Sequence, residues 1–184
     1  RGLNVLLGAM QQLQDCNVHV DVFSSCKIYG KDFAEQNEAT YEPLYEQARN
    51  LENVNYIGYT EHSFIQKYIY RYHMFAYPSI WEETSCNAAL EAMAGGLYCI
   101  VTNYGALYET CSEFPAYVTY NKDYRRLSTL FADAIRHAVN TIHEPEVFNH
   151  LQLQHEFTKR FYSWEKKKIE WTNFLQGIVN ERKG

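Results

Sequence analysis

The feature that most constrains the fold is a short apolar run that follows directly on a helix-forming segment. Residues 98–102 read YCIVT, which is typical of a strand buried on both faces of a sheet. Residues 87–94 read NAALEAMA and predict a helix, and Gly95-Gly96 suits its left-handed termination. Because a strand covered on both faces needs helices above and below it, this region predicts an α/β domain with a parallel sheet.

Strand and helix patterns alternate on both sides of this run. Further strands are predicted at residues 18–23, 54–57, 74–77 and 116–119. Helices are predicted at residues 3–13, 41–50, 60–72, 104–111, 124–141, 144–159 and 164–181. Residues 31–40 are expected to form a polar loop. The order of elements predicts a three-layer Rossmann-like domain with a parallel sheet and a helical C-terminal tail.

Composition excludes several classes of protein. The chain has 184 residues, about the length of one domain, and a net charge of -5. Because Lys and Arg are scattered apart from the run at 166–168, no groove for nucleic acid is expected. No apolar run approaches the length of a membrane span, so neither a transmembrane segment nor a signal peptide is expected.

The cysteines indicate reduced thiols. The chain has an odd number of cysteines, and they form neither a CxxC motif nor a pairing with His. The five residues are Cys16, Cys26, Cys86, Cys99 and Cys111. This pattern argues against a disulfide framework and against a zinc site. We therefore expect a cytoplasmic location.

The segment between the strand at 74–77 and the small-residue helix has the features of an anion site. Pro78 ends the strand, a loop follows, and the helix begins near Asn87 with free backbone N–H groups at its positive end. Glu83 lies in the loop and Glu91 lies about one turn inside the helix. A nucleotide sugar would match, because its diphosphate suits a helix N-terminus and its hydroxyls can donate to carboxylates.

An alternative stays open on spacing alone, because Glu83 could be a solvated loop residue and Glu91 could point outward. Glu91 has no basic partner at helical spacing, since the positions three and four residues away hold Asn87, Ala88, Ala94 and Gly95. The two interpretations predict different orientations for the same two carboxylates.

Residues 78–109 carry a resemblance to a known enzyme family. They read PSIWEETSCNAALEAMAGGLYCIVTNYGALYE. This run resembles the donor-site signature of retaining glycosyltransferases with two Rossmann domains (the GT-B architecture), in the glycogen-synthase-like and sucrose-synthase-like group. The matching positions are Pro78, Ser79, Glu83, Glu91, Ala92, Met93, Ala94, Gly96, Gly105, Leu107 and Glu109. Similarity at residues 1–3, 55–59 and 161–164 extends it over nearly the whole chain.

The resemblance implies roles for individual residues. Glu91 would bind the ribose hydroxyls, and Glu83, the candidate catalytic residue, would bind the hydroxyls of the donor sugar. Arg1, where the family has lysine, would contact the diphosphate, and the backbone of Thr60, after Gly58, would face the base. The loop and the first helical residue are also expected to contact the donor: Thr84, Ser85, Cys86 and Asn87.

The chain departs from the family pattern at Thr84-Ser85-Cys86, where Gly-Phe-Gly is usual. Those glycines let the backbone approach phosphates and sugar closely, whereas here Ser85 is expected to cap the helix. The departure motivates an alternative function, a degenerate non-catalytic module for binding or assembly. A nucleotide-sugar epimerase of the same architecture is a further alternative.

Two other side chains near the predicted site are of types that can take part in chemistry. Cys86 stands at a helix start, which can lower the pKa of a thiol, but no base lies near it in the sequence and no nucleophile is expected there. His62, four residues after Gly58, is interpreted as an exposed polar residue or as the edge of the base pocket.

The resemblance also implies that this chain is one of two domains of a larger enzyme. Residues 1–184 would form one nucleotide-sugar-binding domain, the C-terminal half of an enzyme of carbohydrate biosynthesis. That enzyme would transfer a hexose from a UDP- or GDP-sugar to an acceptor hydroxyl, with retention and with neither a metal nor a cofactor. An N-terminal acceptor-binding domain and the first strand of the fold would be absent from this chain, which alone would turn over little or nothing.

Overall fold

The computed structural model describes residues 1–182, and it confirms the predicted three-layer α/β domain with its helical tail. Within these residues five strands are present: β1 Val20–Val22, β2 Val54–Tyr56, β3 Met74–Tyr77, β4 Tyr98–Thr102 and β5 Ala116–Val118. The α-helices of the same residues are α1 Leu3–Gln11, α2 Lys31–Arg49, α3 His62–Tyr68, α4 Asn87–Ala94, α5 Leu107–Cys111, α6 Tyr124–Thr141, α7 Pro145–Tyr162 and α8 Trp164–Glu181.

The strands pair in parallel, as predicted, but they form two sheets. β1 pairs with β2, and the second sheet has the order β3-β4-β5. A side-chain hydrogen bond joins β1 to the segment just before β3, because the Tyr72 hydroxyl donates to Asp21 Oδ2 at 2.6 Å. Burial and this hydrogen bond raise the pKa of Tyr72 to about 12, so the hydroxyl stays a donor at neutral pH.

Strand β4 is buried on both faces, which accounts for its continuous apolar sequence. Ile100 packs into a core built with α1 and α6, whereas Cys99 and Val101 pack into a second core under α4 and α5. Full burial of an aliphatic side chain stabilises a fold by about 1.5–3 kcal/mol. The two cores are the reason that the domain has three layers.

The predicted loop at residues 31–40 is wrong, because α2 begins at Lys31. Pro43 lies inside the helix, and a proline there removes a backbone donor and normally favours a break. Contacts outside the helix hold its first half in place. Glu38 accepts hydrogen bonds from the Ser25 hydroxyl at 3.0 Å and from the Cys26 backbone N–H at 3.1 Å.

The helical tail joins the domain through α7. The amide of the fully buried Gln154 donates to the Leu97 carbonyl at 2.9 Å, and His155 donates to the Ala94 carbonyl at 2.7 Å. These contacts fix α7 to the C-terminal end of α4. By contrast, α8 has no buried residue. No helix within residues 1–182 combines the length and the apolar character that a bilayer crossing requires.

Candidate functional site

The candidate site lies where β3 ends and α4 begins. Pro78 follows β3, a loop runs through residues 79–86, and α4 starts at Asn87 with Cys86 in the N-cap position. The predicted cap by Ser85 is wrong, because no side chain caps this helix and Ser85 is exposed. Without a side-chain cap, the first N–H groups of α4 are available to a ligand at the carboxyl edge of the sheet.

Glu83 is the most enclosed charged group of the site, with 7% of its surface exposed. Its Oε1 accepts hydrogen bonds from the Tyr77 hydroxyl at 2.7 Å and from the Ser79 hydroxyl at 3.4 Å. The Arg1 guanidinium forms an ion pair with the same oxygen. Burial and the bond to Glu83 raise the pKa of Tyr77, so its hydroxyl keeps the proton that it donates.

The backbone around Glu83 is held by neighbouring segments. The Ala106 N–H donates to the Glu83 carbonyl at 2.7 Å, and the Thr102 hydroxyl donates to the Ser79 carbonyl at 2.8 Å. Gly105, at φ +62°, lies so close that a Cβ there would overlap the Glu83 backbone. These contacts position the loop from the end of β4.

The start of the chain closes the other side of this loop. Gly2 has φ +98°, and a Cβ at this residue would overlap the Pro78 carbonyl. The close approach requires glycine and brings Arg1 to the end of β3. As a result, the ion pair joins the beginning of the chain to the loop that carries Glu83.

Glu91 belongs to a second and more open network. Its side chain is 30% exposed, and its Oε1 accepts from His62 Nε2 at 2.7 Å and from the Gln66 amide at 3.4 Å. Because a carboxylate only accepts hydrogen bonds, the proton of this contact must be on Nε2. The carboxylate that lacks a partner in its own helix therefore has two on α3.

The residues predicted to lie near the base precede α3. Gly58 has φ +79°, and its N–H donates to the Val22 carbonyl at 3.2 Å, which ties this segment to the end of β1. Thr60 is half-buried two residues before His62. The segment therefore lies at the carboxyl end of β1 and β2 and leads into the helix that contacts Glu91.

The remaining predicted residues surround the start of α4. Thr84, Ser85 and Asn87 are exposed, whereas Cys86 is buried. Burial raises the pKa of the Cys86 thiol, and it outweighs the lowering of this pKa by the backbone N–H groups of Ala88 and Ala89 at the helix start. A neutral, buried thiol is a packing residue, which agrees with the expectation that Cys86 is no nucleophile.

The structure thus brings the predicted residues together in two groups. Arg1 and Glu83 are in contact, and Glu91 contacts the helix that follows Gly58 and Thr60. Within residues 1–182 no hydrogen bond joins the two groups, and no cluster of three metal-ligating side chains is found. Contacts of these residues with a donor stay predictions, as does metal independence.

Sequence reasoning missed three partners of the two carboxylates. Tyr77 is the last residue of β3, and its position at the carboxyl end of a strand is a signal that could have identified it. His62 and Gln66 contact Glu91 across 29 and 25 residues. The spacing of residues within one helix carries no information about such a contact.

Comparison with known proteins identifies the family. A family model described as "Glycosyl transferases group 1" matches residues 1–144. Sucrose-phosphate synthase from Thermosynechococcus elongatus is similar in structure, with TM-score 0.75 and 19% identity over 98% of this chain and 43% of that chain. A glycosyltransferase from Rickettsia africae matches with TM-score 0.48 and 19% identity, over 88% of this chain and 45% of that chain. No curated protein matches the chain.

The extent of these matches determines what they show. The chain spans less than half the length of each of the two solved structures. At 19% identity, the match to sucrose-phosphate synthase shows the fold alone. The family model, however, covers 144 of 184 residues and includes every strand and both carboxylate networks. The chain therefore belongs to the group 1 glycosyl transferases, and its fold is that of the C-terminal domain of a GT-B glycosyltransferase.

Proposed function

We propose that the chain binds a nucleotide-diphosphate sugar and presents it for retaining transfer of a hexose to an acceptor hydroxyl. One observation supports this function above all others. A nearly buried carboxylate, Glu83, is held by Arg1 and Tyr77 immediately before a helix whose N-terminus lacks a side-chain cap. A sugar hydroxyl and a diphosphate need these two features side by side.

The free oxygen of Glu83 suits the proposed catalytic role. Hydrogen bonds from within residues 1–182 reach only Oε1, and Oε2 is not among the buried atoms that lack a partner. Solvent therefore has access to Oε2, which can accept a hydrogen bond from a hydroxyl of the donor sugar. Held in this way, the sugar would have its anomeric carbon oriented for transfer, which is a contribution of proximity.

The other predicted residues have complementary roles in the proposal. The backbone of Thr84, Ser85 and Cys86, with Asn87 at the helix start, would bind the diphosphate, and Arg1 would add positive charge beside it. Glu91 would accept hydrogen bonds from the ribose, and the segment around Gly58 and Thr60 would face a uracil or guanine base. We propose no metal for this site, and a cytoplasmic location, which the five free cysteines support.

We also propose that a strand and an N-terminal acceptor-binding domain complete the enzyme. In a parallel sheet, the backbone N–H and C=O groups of every second residue point to the same neighbouring strand. In β1, the residues whose backbone groups hydrogen-bond toward β2 are Val20 and Val22. Asp21 therefore directs its backbone away from β2, and in β3 Ala76 likewise directs its backbone away from β4. A parallel strand between β1 and β3 would use both edges and join the two sheets.

A second candidate is a non-catalytic binding or assembly module of the same family. The ion pair between Arg1 and Glu83 favours it, because Arg1 is the residue expected to contact the diphosphate and its charge is already paired with Glu83. The buried Cys86, where the family usually has glycine, also limits the approach of a ligand to the backbone.

Titration calorimetry with a panel of UDP- and GDP-sugars tests the function. We expect at least one sugar nucleotide to bind, and Glu83→Gln to weaken its binding about tenfold, because a charge-assisted hydrogen bond to the sugar is lost. The matching nucleoside diphosphate should lose less affinity in Glu83→Gln than the sugar nucleotide does, because it has no sugar hydroxyl that donates to Glu83. Glu82→Gln, at the exposed neighbouring residue, is the control. Absence of binding by every sugar nucleotide would contradict the proposal and favour the non-catalytic module.

A further inference from the structure

We infer that His62 and Gln66 are positioning residues that fix the carboxylate of Glu91, so that its second oxygen faces the ribose. The inference rests on the proposed function, because it concerns how this chain would hold a nucleoside. The side chains predicted for the site lie at the start of the chain, in the loop before α4 and on α4. The inference adds two side chains of α3 to them.

His62 and Gln66 contact the same oxygen of Glu91. His62 and Gln66 are four residues apart on α3 and therefore lie on the same face of that helix. Both side chains donate to Oε1 of Glu91, at 2.7 Å and 3.4 Å. Two donors on one oxygen restrict rotation of the carboxylate and leave Oε2 as the acceptor for a ligand.

Helix α3 connects the segment expected to face the base with Glu91. The helix begins directly after the segment of Gly58 and Thr60, which would face the base, and His62 is its first residue. In a nucleoside the base and the ribose are joined by a single bond. A residue that links the base segment to the ribose carboxylate can therefore set the distance between the two parts of the site.

The exposure of the contact distinguishes positioning from stabilisation of the fold. The His62 side chain is 64% exposed, and α3 contains no buried residue. Exposed pairs of this kind contribute little to folding. Their removal should thus leave the fold intact while it frees the Glu91 side chain, and a ligand would then have to order that side chain when it binds.

The test compares ligands that carry or lack the ribose hydroxyls. Uridine 5′-diphosphate and its 2′,3′-dideoxy analogue, and the guanosine pair, are titrated against the chain or a longer protein that contains it. The variants are His62→Ala, His62→Gln, Gln66→Ala and Glu91→Ala, with Ser63→Ala on the same helix as control. The double variant His62→Ala/Glu91→Ala completes a thermodynamic cycle.

We expect His62→Ala to weaken binding of the ribose-containing ligand about threefold to fivefold, as for an exposed charge-assisted contact. Gln66→Ala should have a smaller effect, and His62→Gln should restore part of the loss because its amide can donate to Glu91. The effect should disappear with the dideoxy ligand and in the Glu91→Ala background. In an active enzyme it should appear in KM and not in kcat, because the ribose is remote from the reacting carbon.

Other outcomes would overturn the inference in distinguishable ways. If Glu91→Ala weakens binding but His62→Ala does not, the positioning role is wrong and the proposed function stands. Tighter binding by His62→Ala would show that His62 competes with the ribose for Glu91. If His62→Ala weakens both ligands equally, the residue acts on the base or the phosphates. If Glu91→Ala has no effect, or no nucleotide binds, the ribose role of Glu91 fails, and the inference fails with it.

Discussion

The two carboxylates of the site are eight residues apart and yet have opposite environments. Glu83 is 7% exposed, and its partners come from β3, from the loop and from the start of the chain. The Glu91 side chain is 30% exposed, and its partners are two exposed residues of one helix. Glu83 is therefore held by buried and half-buried parts of the fold, whereas Glu91 is held by surface side chains.

Because of this difference, one carboxylate contributes to the stability of the fold and the other does not. A change at Glu83 or in the segments around it alters packing and site together, because the same contacts serve both. A change at Glu91 or on α3 alters the site alone. Stability measurements can therefore separate the two halves before any ligand is known.

The largest effect is expected from Gly105→Ala. The new methyl group would overlap the Glu83 backbone, in addition to the strain of a positive φ, and we expect a loss of about 3 kcal/mol in the free energy of unfolding. Gly96→Ala is a matched control, because Gly96 has φ +77° but open space around it. The control should lose only about 1 kcal/mol. Urea unfolding of both variants measures the difference, and equal losses would contradict the close packing on Glu83.

A smaller effect is expected from Glu83→Ala. The change leaves the Tyr77 hydroxyl and the Arg1 guanidinium without their acceptor, and we expect the free energy of unfolding to fall by about 2 kcal/mol, since Arg1 is partly solvated. Glu91→Ala should change it by less than about 0.5 kcal/mol, because that pair is exposed. Urea midpoints of the two variants test the comparison directly. Similar values for both would show that the two environments do not differ in strength.

A smaller effect than that of Glu83→Ala is expected from Tyr77→Phe, which removes one donor to Glu83 and should cost about 1 kcal/mol at neutral pH. Because the pKa of Tyr77 is raised by burial and by this bond, the unfolded chain loses the phenolic proton first as pH rises. The contribution to stability is thus full below about pH 10, the ordinary tyrosine pKa, and is lost above it.

Unfolding measured from pH 8 to pH 11 tests this dependence. The Tyr77→Phe variant should lose less stability over that range than the parent chain, whereas Tyr70→Phe, at an exposed residue, should behave like the parent. Parallel curves for the parent chain and Tyr77→Phe would show that the hydroxyl is not held by Glu83.

Much of the fold could be predicted from local patterns. The bounds of β3, α4, β4, α6 and α8 agree residue for residue with those predicted. Proline and glycine mark ends near these segments, and β4 is apolar throughout because both of its faces are covered. Local sequence is sufficient where a segment has a sharp boundary and a consistent apolar pattern.

Other features depend on contacts that no local pattern contains. The first half of α2 is polar and is followed by Pro43, so its helical state depends on Glu38 reaching Ser25 and Cys26. The partners of Glu91 lie on another helix, and the division into two sheets depends on which strands become neighbours. The element that carries each carboxylate was predictable, whereas the contacts of Glu91 with His62 and Gln66 were not.

The bonds from Thr102 and Ala106 fasten the loop of Glu83 at two points, the Ser79 and Glu83 carbonyls. A loop anchored in this way has few conformations to lose when a molecule docks, so the ordering cost falls mainly on the incoming molecule. Residues 84–86 lie beyond the second anchor. The exposed residues Thr84 and Ser85 can therefore be substituted while the carboxylate keeps the position that the two anchors give it.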